Sequence, residues 1–103
     1  MLVTTSDIIP GKQVEVLGLV YGNVVTSKNI ARDVMAGFKN VVGGEIKSYT
    51  DMMAEGRNVA EERMIAQAQE MGANAIVSVR FSGGEITQGV QEMLAYGTAV
   101  KYV

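Results

Sequence analysis

Apolar positions along the chain follow two different periods. From Gln13 to Val25 the set Val14, Val16, Leu17, Leu19, Val20, Val24 and Val25 is dense and β-branched, with Glu15 alternating against Val14 and Val16. Such a run reads as one long bent strand or as two short ones, because Gly18 and Gly22 interrupt it. Leu2 to Ser6 is short and β-prone, and Ile8-Ile9-Pro10-Gly11 supplies a turn, so a hairpin-like entry is expected. The period then changes. Thr26 or Ser27 can cap a segment in which Ile30, Val34, Gly37/Phe38 and Val41 recur at helical steps; it is expected to end near Val42, at Gly43 and Gly44.

A second helix carries the stripe Tyr49, Met53, Gly56, Ala60, Met64, Ala68 and Met71, while Asp51, Glu55, Arg57, Glu61, Glu62 and Gln69 lie mostly off it. Ser48 or Thr50 is the expected N-cap, and Gly72 the stop. The methionines of the stripe read as core filling rather than as a cofactor pocket. Beyond Asn74 the chain returns to period two. Val77, Val79 and Phe81 should share one face of a strand and Ser78 and Arg80 the other, with a loop at Ser82-Gly83-Gly84-Glu85. In the last strand, Met93 to Val103, Leu94, Tyr96, Thr98, Val100 and Tyr102 alternate with Ala95, Gly97, Ala99 and Lys101.

The predicted order is β(β)-α-α-β-β over a single domain, residues 1–103, in the α+β class, two-layered, with helices on one face of a mainly antiparallel sheet. The strands offer apolar or small residues on both faces, Ile76 as well as Val77 and Ala99 as well as Val100. One chain has helix enough for one face, so a homo-oligomer is expected; the alternative is a monomer whose N-terminal hairpin folds over the second face.

Composition narrows the chemistry. The 103 residues are 48% hydrophobic and 19% charged, which is globular rather than disordered composition. A formal net charge of -2 without a basic cluster argues against nucleic acid as a partner. No run approaches the ~20 apolar residues of a membrane span and no leader pattern opens the chain, so a cytoplasmic protein without membrane contact is expected. The sequence has no cysteine and no histidine, which removes disulfides, thiolate chemistry, the commonest metal ligand and the usual general base.

Three stretches, "VVGGEIKSY" (41–49), "AEERMIAQAQEMGANAIVSV" (60–79) and "YGTAVKYV" (96–103), together resemble the YbjQ-like family, small bacterial and archaeal proteins of unassigned activity that carry a heavy-metal-binding label. The motif positions that carry the resemblance include Gly43, Gly44, Tyr49, Gly72 and Gly97. It implies a dodecin-like subunit assembled as a ring-shaped homopentamer. It also implies the metal label, which the residues support poorly. Where relatives carry an acidic run, this chain reads Val79-Arg80-Phe81-Ser82, and Glu45, Asp51, Glu55, Glu61, Glu62 and Glu85 read as solvated charges. No metal site and no cofactor is assigned.

An enzyme would have to rely on Lys47 and Ser48 beside Tyr49, but Ser48 has a sufficient role as a cap and Tyr49 as the head of a buried stripe. Lys47 also lacks the glycine spacing of a phosphate-binding loop. No catalytic residue is assigned. The expected function is a ligand- or ion-binding or assembly module, with Arg80, Glu15, Tyr21, Tyr96 and Lys101 projecting from the strands toward neighbouring copies, a small molecule or an ion. Arg80 is expected to pair with a carboxylate such as Glu15; unpaired in a cleft, it would bind an anion.

Overall fold

The dense run after Gln13 forms one continuous strand. The computed structural model describes residues 1–27 and 44–103, with side chains in the helix described from Tyr49 onward. The helix expected over 28–42, and Gly43, lie outside the described residues. Strands β1 (Leu2–Val3) and β2 (Val14–Ser27) precede helix α1 (Gly44–Glu70), and β3 (Ala75–Thr87) and β4 (Val90–Tyr102) follow it. They form a four-stranded mixed sheet in the order β1-β3-β4-β2, with β1 parallel to β3 and the other pairs antiparallel. This is an α+β fold with one helix packed on the sheet among the described residues.

The expected hairpin entry does not form. Pro10 and Gly11 do make a turn, closed by the Lys12 amide donating to the Ile9 carbonyl at 3.1 Å with Gly11 at φ 77°. The strands on either side of it, however, lie at opposite edges of the sheet, because β1 finds its partner in β3. The connection between them therefore packs Ile9, with Tyr102 of β4, against Ala75, Val77 and Val100. Part of the second sheet face is thus covered by the chain itself.

The other face carries the main core. Val20 from β2, Ile76 and Val79 from β3, and Met93, Ala95 and Ala99 from β4 pack against Ala60, Met64 and Ala68 of α1. Gly22 on β2 lets the helix approach closely, since a Cβ there would meet the helix backbone at Ala60 and Met64. Buried α1 positions recur as Met52, Gly56, Ala60, Met64 and Ala68; Tyr49 and Met53 are half-buried and Met71 is exposed. The helix begins at Gly44, so Ser48 and Thr50 lie inside its first turns rather than at its cap. Its end agrees with the sequence: Gly72 takes φ 78°, its amide donates to the Gln69 carbonyl at 3.0 Å, and the Ala73 amide donates to the Ala68 carbonyl at 3.1 Å. That pair of bonds is the Schellman closure, in which glycine tolerates the left-handed residue.

Two irregularities reset the alternation. Val77 faces Thr98 and Arg80 faces Tyr96, so Ser78 and Val79 together oppose Gly97 in a bulge. Ser78 has φ 55°, and Val79 turns to the helix side while Val77 stays on the other. The expected shared face of Val77 and Val79 is therefore broken. At the far end, Ser82 to Glu85 is strand rather than loop, and the reversal occurs at Gln88-Gly89, with Gly89 at φ 78°. The hairpin extends well past the core: Phe81 to Gln88 are all exposed. The Cα radius of gyration is 16.6 Å and the principal extents are 53 × 24 × 19 Å, against about 13 Å for a compact chain of this length.

Candidate functional site

On the sheet face turned away from α1, register sets three of the expected residues in a row. Arg80 on β3 faces Tyr96 on β4, which faces Tyr21 on β2. Neighbouring strands lie about 4.8 Å apart, so the row spans three adjacent side chains. The bulge at Ser78 and Val79 directs Arg80 to this face. All three residues are exposed.

The Arg80 guanidinium already has partners. Its Nη1 donates to the Thr5 carbonyl at 3.0 Å and to the Val79 carbonyl at 2.8 Å. It thereby holds the N-terminal segment against β3, with the Val79 amide donating to the Thr4 carbonyl at 3.0 Å and the Ser78 amide to the Ser6 carbonyl at 2.9 Å. The expected pairing with Glu15 does not occur within the chain. Glu15 on β2 faces Lys101 on β4, toward the other end of those strands and on the opposite pleat from Tyr96. The five residues thus separate into a row of three and a distant pair of opposite charge.

The outer face around the row is apolar. Val16 is 66% exposed, Leu19 67%, Val25 54%, Tyr21 50% and Tyr96 37%, and the first four belong to one strand. Sequence reasoning missed this concentration, although the alternation Leu19, Tyr21, Asn23, Val25 against Val20, Gly22, Val24 signals it. The step at Leu17 and Gly18, where the register shifts, conceals the continuation to Val16 and Val14. Lys12 was also missed; its ammonium lies 5.0 Å from the centroid of the Tyr102 ring.

The motif glycines have structural roles where they are described. Gly72 closes the helix, and Gly44 is its first residue. At Gly97, opposite the bulge, a Cβ would lie 2.9 Å from Ile76 Cγ2 and 3.0 Å from the Val77 carbonyl oxygen. Asn74, in the same Gly-Ala-Asn-Ala stretch, accepts the Tyr102 amide on Oδ1 at 2.8 Å while its own amide donates to the Val100 carbonyl at 2.9 Å. Side chains 47 and 48 lie outside the described ones, and Tyr49 is half-buried.

An open recess of about 260 Å³ on the hairpin arm is lined by Ser82, Gly83, Gly84, Glu85, Ile86 and Glu92. Two carboxylates border it, the expected candidate Glu85 and Glu92, but register sets Glu85 opposite Gln91 and Glu92 opposite Gly84, so their side chains leave the hairpin on opposite faces, and Glu85 Oε1 accepts the Gly89 amide at 3.3 Å. Among the described residues no group of three or more His, Cys, Asp or Glu side chains converges. Two carboxylates do not fit a soft heavy metal, which favours thiolate and imidazole donors. No described helix is long and apolar enough to cross a membrane.

A family model, YbjQ_1, described as "Putative heavy-metal-binding", matches residues 1–103. A UPF0145 protein of Vibrio parahaemolyticus is 57% identical over 104 residues, covering 100% of this chain and 99% of that protein. A UPF0145 protein of Thermosipho melanesiensis is 56% identical over 102 residues, covering 98% of this chain and 94% of that one. In fold, the chain is similar to a crystal structure of a Pediococcus pentosaceus protein of unknown function from the DUF74 family, at a TM-score of 0.73 and 14% identity, covering 100% of this chain and 98% of that one.

Proposed function

The chain belongs to the YbjQ_1 family, and we propose that it is a self-assembling module without catalysis, whose copies cover one another's outer sheet faces. The observation that carries this reading is the apolar strand face itself: Val16, Leu19, Tyr21 and Val25 stand exposed side by side on β2, next to Tyr96 on β4. A water-facing antiparallel sheet ordinarily places polar side chains there. The elongated shape supports the same reading, since a protomer that completes its core in an assembly need not be compact alone. The finer form of the proposal is a dodecin-like ring, a pentamer, with a small molecule or ion seated where the Arg80, Tyr96 and Tyr21 row meets a neighbour.

Sedimentation velocity on the full chain tests it. The expected result is a single species several times the 11.0 kDa protomer. Leu19→Asp, at a position 67% exposed, is expected to release folded protomers. A wild-type chain that sediments as a monomer at tens of micromolar overturns the reading.

The family description favours a second reading, metal binding, although among the described residues no group of three or more candidate ligands converges. Calorimetric titration with zinc, copper, nickel and cadmium decides it. The donor set leads us to expect no micromolar stoichiometric binding.

A further inference from the structure

Strand β2 is an edge strand, since β4 is its single neighbour among the described residues. An edge strand offers a row of backbone donors and acceptors to any other strand, and a protein that exposes apolar surface beside such a row risks open-ended β-pairing. Two α1 side chains close this edge at its middle. Gln67 Oε1 accepts the Tyr21 amide at 2.8 Å, and Arg63 Nη1 donates to the Asn23 carbonyl at 2.7 Å. In an antiparallel strand the backbone groups of alternate residues point the same way, so Tyr21 and Asn23 are consecutive docking positions on the free edge. Arg63 and Gln67, four residues apart on a helix, reach them from one helical face.

The intervening residue makes this reach possible. Gly22 has no side chain, and the helix backbone rests directly on it: a Cβ there would lie 2.5 Å from the Met64 amide nitrogen and 2.7 Å from Arg63 Cβ. The irregularity at Gly18, with φ 147°, interrupts the regular edge on the other side of Tyr21.

We propose that Arg63 and Gln67 are edge guards, which deny the middle of β2 to an added strand. Suppression of strand addition at this edge is the consequence. The inference rests on the self-assembly reading for the face it leaves open, but the guarding role is tested separately.

The test compares R63A/Q67A with R63K/Q67E in the full chain, by light scattering, thioflavin fluorescence and amide exchange. Alanine is the strongest helix former, so the first variant does not weaken α1 by propensity. The second keeps a donor at 63 and an acceptor at 67. R63A/Q67A is expected to keep its circular dichroism spectrum, to grow with time into β-rich species and to exchange the Tyr21 amide about tenfold faster, as loss of a bond of roughly 1.4 kcal/mol implies. R63K/Q67E is expected to hold the wild-type size. A folded R63A/Q67A that stays at wild-type size overturns the proposal. Should that variant fail to fold, Q67A alone decides: unchanged Tyr21 exchange and unchanged size overturn it. The wild-type mass decides the assembly reading, whereas the difference between variants decides this one.

Discussion

Gly22→Ala places a methyl group where the backbone of α1 passes over β2. Its Cβ would lie 2.5 Å from the Met64 amide nitrogen and 2.7 Å from Arg63 Cβ, and closer still to the Ala60 carbonyl oxygen, whereas ordinary contact begins at 3.4 Å. The obstructing atoms belong mainly to the backbone of a helix, so no single side chain can rotate away. The helix must lift by about 1 Å, and a gap of that size forfeits a quarter to a half of the dispersion energy across the layer. That layer holds Val20, Ala60, Met64 and Ala68, all buried. Overpacking of this kind costs about 1–3 kcal/mol, and backbone obstruction places Gly22→Ala at the upper end. The reduced entropy of the unfolded alanine chain returns about 0.4–1 kcal/mol. A net loss of roughly 2 kcal/mol lowers Tm by about 10–15 °C for a domain of this size.

Two other glycines calibrate the measurement. A Cβ on Gly56 would meet Met93 Cγ at 2.9 Å, but methionine can bend and alanine favours the helix, so Gly56→Ala should cost less than about 1 kcal/mol. Gly84 has nothing within 4 Å, and Gly84→Ala should stay within about 0.5 kcal/mol of wild type. Thermal unfolding followed by circular dichroism, at one fixed protomer concentration because association shifts Tm, gives the ranking. A Gly22→Ala melting temperature within about 3 °C of Gly84→Ala would refute the reasoning about close helix approach.

Met64→Ala removes a fully buried side chain beneath the helix and should cost about 2–5 kcal/mol in urea denaturation; a loss below 1 kcal/mol would mean that the site collapses. Asn74→Ala deprives the Tyr102 amide of its 2.8 Å acceptor and should cost about 1 kcal/mol, while Asn74→Asp, which keeps an acceptor oxygen, should recover most of it. Ser78→Gly relieves a non-glycine residue at φ 55° and should raise stability by about 0.5–1 kcal/mol, whereas Ser78→Val should lower it; equal denaturation midpoints for the two would contradict strain at the bulge. Arg80→Ala frees the Thr5 carbonyl and should speed amide exchange at Ser78 and Val79, whose acceptors lie on the N-terminal segment, with little change elsewhere.

How far the sequence reaches is visible residue by residue. Local periodicity was enough to identify the Ala60, Met64 and Ala68 stripe and the alternation that sets Ala95 and Ala99 on one face of the last strand, and glycine chemistry the stop at Gly72. It also identified the turn at Pro10 and Gly11, because proline and glycine restrict the backbone regardless of what surrounds them. The absence of cysteine and histidine limits the chemistry at the level of composition alone. Of the candidate site, the sequence supplied Arg80, Tyr96 and Tyr21 as individuals, without their adjacency.

Tertiary structure decided which strands pair, and that choice is non-local. Whether Leu2 and Val3 join β2 or β3 depends on the whole sheet, and their pairing with Ala75 and Ile76 sent the Ile9 segment across the second face. The bulge at Ser78 and Val79 exchanges the faces of the residues that follow it, so period-two reasoning put Val77 and Val79 on one face when they lie on opposite ones. Register then set Arg80, Tyr96 and Tyr21 side by side and moved Glu15 to Lys101. Periodicity specifies an element and its apolar face; only pairing specifies which side chains meet across elements, because a one-residue shift in register turns every side chain to the opposite face.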